Sequence, residues 1–186
     1  SAKPFSPTAN YDETVKEKNI TGFFRGIGVE GLSSGNVSRI ISAGYDSVAK
    51  IINMSVDNFL EVEGFKMKMA TKIYNGIREK LESASIITLM SASNVFGRGF
   101  SGKKIELVFS LYPDVLTSKE NNDIKIAKIA AMKGMAQKTA EAFVDRIDAF
   151  VDFMKECGLE KKILLSGATF VSEVPLDTSN PLYEKT

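Results

Sequence analysis

The chain has 186 residues, enough for one domain or two small ones, and 44% of them are hydrophobic, which can supply a core. It contains no histidine and one cysteine, Cys157, which excludes an internal disulfide, a zinc finger and a histidine-based active site. No apolar run approaches the roughly 20 residues that a membrane span needs. The formal net charge is only +1, so the placement of the charges matters more than their sum.

The first two thirds of the chain begin with a polar segment and continue with helical periodicity. Residues 1–18 are polar, contain two early prolines and are expected to form a lead-in strand or loop. Apolar spacing typical of helices starts at Asn19. Ser55 is placed to cap a short helix that ends at Leu60. Residues 118–123 form a polar connector.

The last part of the chain combines one strong helical pattern with a stretch that has none. A single long helix is expected where four apolar residues share one face, namely Phe143, Ile147, Phe150 and Met154. After Leu159 the periodicity fades. Residues 160–186 are therefore expected to form an irregular tail, a linker toward a C-terminal domain outside this chain.

A glycine-centred pattern occurs four times, at intervals of 33 to 35 residues. The glycine is followed by a large apolar residue and, six positions after the glycine, by a small or aliphatic one. The copies are residues 31–37, 64–70, 99–105 and 134–140. A period of this length is typical of a repeated supersecondary unit.

The residue types of this pattern fit a tight turn between two helices. Glycine reaches backbone dihedrals that other residues avoid, the apolar residue can fold back between the helices, and the small residue lets them pack closely. The first N–H groups of the second helix lack partners and, with the helix dipole, suit a phosphate oxygen. The pattern predicts helix-hairpin-helix motifs that bind DNA. In the third copy Gly97 or Gly99 could be the turn glycine, and Gly102 adds a further ambiguity.

Cations cluster at three of the four predicted turns. They are Lys66 and Lys68 at the second, Arg98, Lys103 and Lys104 at the third, and Lys133 and Lys138 at the fourth. A cation opposes the dipole at a helix N-terminus, so folding alone does not favour this placement, and the set is interpreted as phosphate partners. The first turn is expected to bind mainly through amides and hydroxyls, with Ser33, Ser34, Asn36 and Arg39.

The four repeats are expected to work in pairs, because neighbouring hairpins can face the two strands of a duplex. The chain is therefore predicted to be all-α, with four tandem helix-hairpin-helix motifs arranged as two pairs in residues 19–159. Two pairs in tandem could follow the backbone across a minor groove.

The chain resembles the helix-hairpin-helix domain of NAD⁺-dependent DNA ligases, in the forms carried by large DNA viruses. The residues that carry the resemblance are 19–33, 59–65, 89–100 and 132–140. The resemblance covers about residues 19–159. It departs from the bacterial pattern two positions after each glycine, where a second glycine is usual in several hairpins. Those positions here are Ser33, Lys66, Ser101 and Ala136.

The resemblance implies that the domain grips duplex DNA, nicked in the family's reaction, through the minor groove. The implied contact residues all lie in the four turns. They are Gly31, Leu32, Ser33, Ser34, Gly64, Phe65, Lys66, Lys68, Gly99, Phe100, Ser101, Gly102, Lys103, Gly134, Met135, Ala136, Gln137 and Lys138.

The resemblance also implies that catalysis takes place outside this chain. The Lys-x-Asp-Gly motif that carries the family's nucleophilic lysine is absent, as is its four-cysteine zinc finger. The chain is thus expected to be a fragment without catalytic residues, metal ligands or a cofactor of its own. NAD⁺ and Mg²⁺ are implied for the parent enzyme, and the adjacent ligase domains are implied partners. The expected location is intracellular, in the cytoplasm or nucleus where DNA is replicated or repaired, without secretion or a membrane partner.

Two other functions remain open on the sequence. The same motifs could belong to a free-standing adaptor for branched DNA in repair or recombination. Alternatively, a hairpin pair could have become a protein-interaction domain, for which the uneven charge of the first hairpin offers some support.

Overall fold

The structure is a computed structural model that describes residues 7–97 and 100–173, with side chains for residues 13–97 and 100–166. All regular elements within these ranges are helices, which confirms the predicted all-α class. None of the described helices has the combination of length and apolar content needed to cross a bilayer. The chain divides into two compact units, Ser1–Asn94 and Val95–Thr186, and each contains two of the glycine repeats. The pairwise arrangement of the four motifs stays a prediction.

Unit 1 is built from six described helices. They are α1 (Pro7–Gly26), α2 (Ser34–Ser42), α3 (Val48–Ile52), α4 (Val56–Leu60), α5 (Met67–Ser83) and α6 (Ile86–Ser93). Helix α1 packs against α2 and α6, and α4 packs against α5. The approach of α1 to α6 is close, since a Cβ atom at Gly26 would lie 2.8 Å from the Cβ atom of Ala92.

Short polar side chains determine where several unit 1 helices begin. Ser33, Ser47, Ser55 and Ser85 are N-caps in extended conformation, and each hydroxyl accepts a backbone N–H of the first turn. At α4 the Asn58 side chain also accepts the Ser55 N–H, which completes a capping box. The predicted role of Ser55 is therefore confirmed.

Unit 2 contains five described helices. They are α7 (Gly102–Leu111), α8 (Asn122–Ala130), α9 (Gln137–Asp145), α10 (Ile147–Glu156) and α11 (Glu160–Glu173). Its core includes a cluster of aromatic rings. The Phe143 ring stacks on Phe96 and Phe100 with centroids 4.6 and 4.5 Å apart, and Phe150 lies 5.5 Å from Phe96.

Three sequence predictions about helix boundaries are wrong. Residues 7–18 belong to α1, with Pro7 at the first position, where its missing N–H costs no helical bond. Residues 160–173 form α11, whose Ile163 is buried, and the rest of the expected irregular tail lies outside the described residues. The long helix after the fourth turn is two helices, α9 and α10, separated at Arg146.

Truncation of the stacked ring at the centre of unit 2 should be costly. Phe143→Ala removes the partner of two aromatic rings from a fully buried site and should lower the free energy of unfolding by about 3–5 kcal/mol. Alkylation of Cys157 at increasing urea concentration measures unfolding of the same unit, because this thiol is buried. The matched change Phe153→Ala affects a half-buried ring and should cost clearly less. Equal losses would contradict the packing described.

Candidate nucleic-acid interface

The glycines of three turns adopt the left-handed backbone conformation. Gly31, Gly64 and Gly134 have φ values of +92°, +85° and +80°, in the left-handed region. In the second and fourth turns the residue after the glycine donates its N–H to a carbonyl three positions back, with N···O distances of 3.1 Å. A glycine with positive φ in the third position of such a turn is typical of type II. The same turn thus links α4 to α5 and α8 to α9.

The third turn is described only in part. Gly99 and Arg98 lie outside the described residues, so the choice of Gly99 as the turn glycine stays a prediction. Gly97 has a φ of +83°, and its carbonyl accepts the Phe100 N–H at 3.3 Å. Arg146 Nη1 donates to the Val95 carbonyl at 3.3 Å, which fixes a guanidinium beside this turn.

The residue after each glycine faces the interior. Leu32, Phe65, Phe100 and Met135 are each only 5–7% exposed. The residues six positions after the glycines, Val37, Ala70, Ile105 and Ala140, are completely buried. The apolar and the small residues of the pattern therefore pack inside the hairpins, and little of their surface is open to a ligand.

In each copy of the pattern the N-cap of the second helix lies two residues after the glycine position, but the four N-caps differ chemically. Ser33, Lys66, Ser101 and Ala136 are the N-caps, all in extended conformation. The two serine hydroxyls accept N–H groups of the first turn, from Asn36 at 3.3 Å and Lys104 at 3.5 Å. Lys66 and Ala136 form no side-chain cap bond, so the first N–H groups of α5 and α9 are open to an external acceptor.

Five lysines of the second, third and fourth turns extend into solvent. Lys66, Lys68, Lys103, Lys133 and Lys138 are exposed. None of them forms an ion pair within the part of the chain that the structure describes. Each uncapped helix start, at α5 and at α9, therefore has ammonium groups beside it, a combination that suits an anion.

Two of the remaining residues of the predicted site, Gln137 and Ser34, form hydrogen bonds with acidic side chains of this chain. The Gln137 amide donates to Glu141 at 3.0 Å, along the first turn of α9. The Ser34 hydroxyl donates to the Glu17 carboxylate of α1. Gly102 is the first residue of α7 and is half-buried. Whether any of the eighteen predicted residues contacts DNA stays a prediction.

Sequence reasoning missed two features of these surfaces. Met67 and Met69 lie in the first turn of α5 and are 58% and 36% exposed, so apolar side chains interleave with Lys66 and Lys68. Glu17 was missed because it belongs to a segment that was not expected to be helical. The methionines could have been found from the sequence, since both lie next to a predicted phosphate partner.

The described residues offer little catalytic chemistry. Among them, no group of three or more His, Cys, Asp or Glu side chains could hold a metal ion. Burial raises the pKa of the Cys157 thiol to about 12, so the thiolate, its nucleophilic form, is not available near neutral pH. A groove of about 480 Å³ beside the fourth hairpin is lined by Lys138 but also by Glu141 and Asp145, which disfavours an anion inside it.

A glycine at a turn and a glycine inside a helix should respond oppositely to alanine. Gly64→Ala places a side chain at φ +85° and should lower the stability of unit 1 by about 1–2 kcal/mol, although nothing lies within 4 Å of the new Cβ atom. Gly35→Ala meets the same open space inside α2 and should be neutral or stabilising, by up to about 1 kcal/mol. Urea unfolding followed by circular dichroism compares the two. A neutral Gly64→Ala would contradict the turn geometry.

Comparison with known proteins agrees with this geometry. Residues 27–79 match the family described as SAM-like helix-hairpin-helix tandem. This stretch contains the first two glycine turns and the beginnings of α2 and α5. No solved structure gives a significant match to the chain.

Three viral proteins are similar to the chain over longer stretches. The DNA ligase of Acanthamoeba polyphaga mimivirus is 38% identical over 89% of this chain. Two further relatives are assigned as DNA ligases. Protein 052L of Invertebrate iridescent virus 3 is 30% identical over 55% of this chain. Protein 205R of Invertebrate iridescent virus 6 is 24% identical over 66% of it. The chain spans 26%, 13% and 19% of the lengths of these relatives. Its residues 27–79 are thus a helix-hairpin-helix tandem, in a chain similar to the DNA ligases of large DNA viruses.

Proposed function

We propose that the chain is a non-catalytic, sequence-independent DNA-binding module of an NAD⁺-dependent DNA ligase. It would grip the phosphate backbone of nicked duplex through the minor groove while the nick is sealed, next to other ligase domains. The observation that carries the proposal is the pair of uncapped helix beginnings at Lys66 and Ala136, each flanked by exposed lysines. The similarity to viral ligases supports the assignment to that enzyme class.

The charge placement supports a phosphate ligand in particular. An ammonium group beside the positive end of a helix is unfavourable in the absence of a ligand. A phosphate oxygen between the open N–H groups and the ammonium groups of Lys66 and Lys68, or of Lys133 and Lys138, would reverse this effect. The placement is therefore better explained by binding than by folding.

The same geometry supports recognition of structure rather than of base sequence. Backbone N–H groups and lysines contact phosphates, which carry no sequence information. Because Leu32, Phe65, Phe100 and Met135 are buried, we propose that they contribute by holding the turns in the conformation that presents the helix beginnings. The exposed Met67 could contact the sugar edges of a minor groove, where apolar side chains are common in DNA-binding proteins.

NAD⁺ and Mg²⁺ belong to this proposal only at the level of the whole enzyme. Among the described residues, no cluster of three or more acidic, histidine or cysteine side chains could hold a metal ion. The sequence has no Lys-x-Asp-Gly motif for adenylation. No step of ligation is therefore assigned to a residue of this chain.

Charge reversal at the two uncapped hairpins should weaken DNA binding and its salt dependence. Lys66→Glu combined with Lys138→Glu should lower affinity for a nicked duplex and flatten the slope of log affinity against log salt by about 0.9 for each phosphate that is no longer neutralised. Fluorescence anisotropy over a salt series measures both quantities. The control is Lys18→Glu combined with Lys161→Glu, which changes the net charge equally at exposed sites outside the hairpins.

Equal effects of the two double variants would contradict the assignment of these lysines. Intact duplex and a four-way junction are measured alongside the nicked duplex. A clear preference for the junction would favour the free-standing adaptor. Binding that is insensitive to salt would favour a protein-interaction domain.

A further inference from the structure

The first hairpin differs from the others because its polar groups already have partners inside unit 1. The Ser34 hydroxyl, on the first residue of α2, donates to the Glu17 carboxylate of α1. Ser33 caps the Asn36 N–H, and the Asn36 side-chain amide donates to the Gly31 carbonyl at 2.7 Å. The groups expected to bind phosphate are thus bonded to one another and to an acid from another helix.

The Glu17 carboxylate has the chemistry of the anion that this helix beginning would otherwise attract. Helix α2 has no acidic residue of its own in the first turn, so Glu17 supplies the negative charge that the positive end of the helix favours. The turn itself contributes Glu30, whose side chain is 82% exposed and lies 3.8 Å from the Lys72 ammonium. Arg39 is directed to Asn36, at 2.9 Å. Two carboxylates therefore surround the first turn, whereas lysines surround the uncapped beginnings of α5 and α9.

We propose that Glu17 is an internal substitute for a phosphate group, which closes the first hairpin to DNA. This inference rests on the proposed DNA-binding function. A phosphate that approached α2 would meet a like charge at short range and would have to break the bond between Ser34 and Glu17. Unit 1 then holds the backbone through the second hairpin, and Glu17 determines the number of phosphates contacted.

The test compares Glu17→Gln with Glu13→Gln in the full 186-residue chain on the same nicked duplex. Glu13 is exposed and lies one helical turn before Glu17 on α1, so both variants remove one negative charge from the same region. Glu17→Gln should raise affinity more than Glu13→Gln does. It should also steepen the slope of log affinity against log salt by about 0.9, because one more phosphate is contacted. Glu13→Gln should leave the slope unchanged.

Backbone amide signals in nuclear magnetic resonance spectra test the same proposal at the individual helix beginnings. In the unaltered chain, saturating duplex should shift the amides of Met67, Lys68 and Met69 but not those of Ser34 and Gly35. In Glu17→Gln the Ser34 and Gly35 amides should also shift. Equal slopes for the two variants, or a shift of Ser34 and Gly35 in the unaltered chain as large as at α5, would overturn the role of Glu17. If no chain binds duplex at low salt, the proposed function fails and the inference fails with it.

Discussion

The left-handed backbone at the turn glycines is the constraint on which the hairpins depend. It reverses the chain within a few residues, so that the following apolar side chain points inward and the next residue takes the extended conformation of an N-cap. Both consequences are set by the backbone, not by the side chains of the turn. Serine, lysine and alanine therefore all serve as the N-cap, and the chemistry of the helix beginning can vary while its position stays the same.

The N-cap residue divides the hairpins into two kinds, those with a serine cap and those without a side-chain cap. Each unit contains one hairpin of each kind. A serine cap satisfies a backbone donor and contributes about 1 kcal/mol of stability, and it also occupies a group that a ligand could use. Lys66 and Ala136 give up that contribution and leave the first turn of α5 and α9 open. At the N-cap position, a side chain that stabilises the helix therefore also occupies a backbone N–H group that a ligand could bind.

Sequence reasoning predicted the features that depend on local residue types. The first, second and fourth glycine turns, the inward apolar residues and the Ser55 cap follow from neighbours within a few positions, and the structure contains them. The helical state of residues 7–18 was missed because prolines and polar residues were interpreted as loop signals, although proline is acceptable at a helix beginning. The bond between Glu17 and Ser34 joins two helices, and no local pattern could have indicated it.

The close approach of α1 to α6 limits how unit 1 can vary in sequence. A side chain at Gly26 would collide with Ala92, whose Cβ atom lies 2.8 Å from the position of the added carbon. The two positions should therefore vary together, with a larger residue at 26 tolerated only alongside a glycine at 92. Because Ala92 lies near the end of α6, two residues before the boundary of the unit, this coupling ties the first helix of unit 1 to its last. Saturation mutagenesis of unit 1 would register the pair as an epistatic contact between positions far apart in the chain.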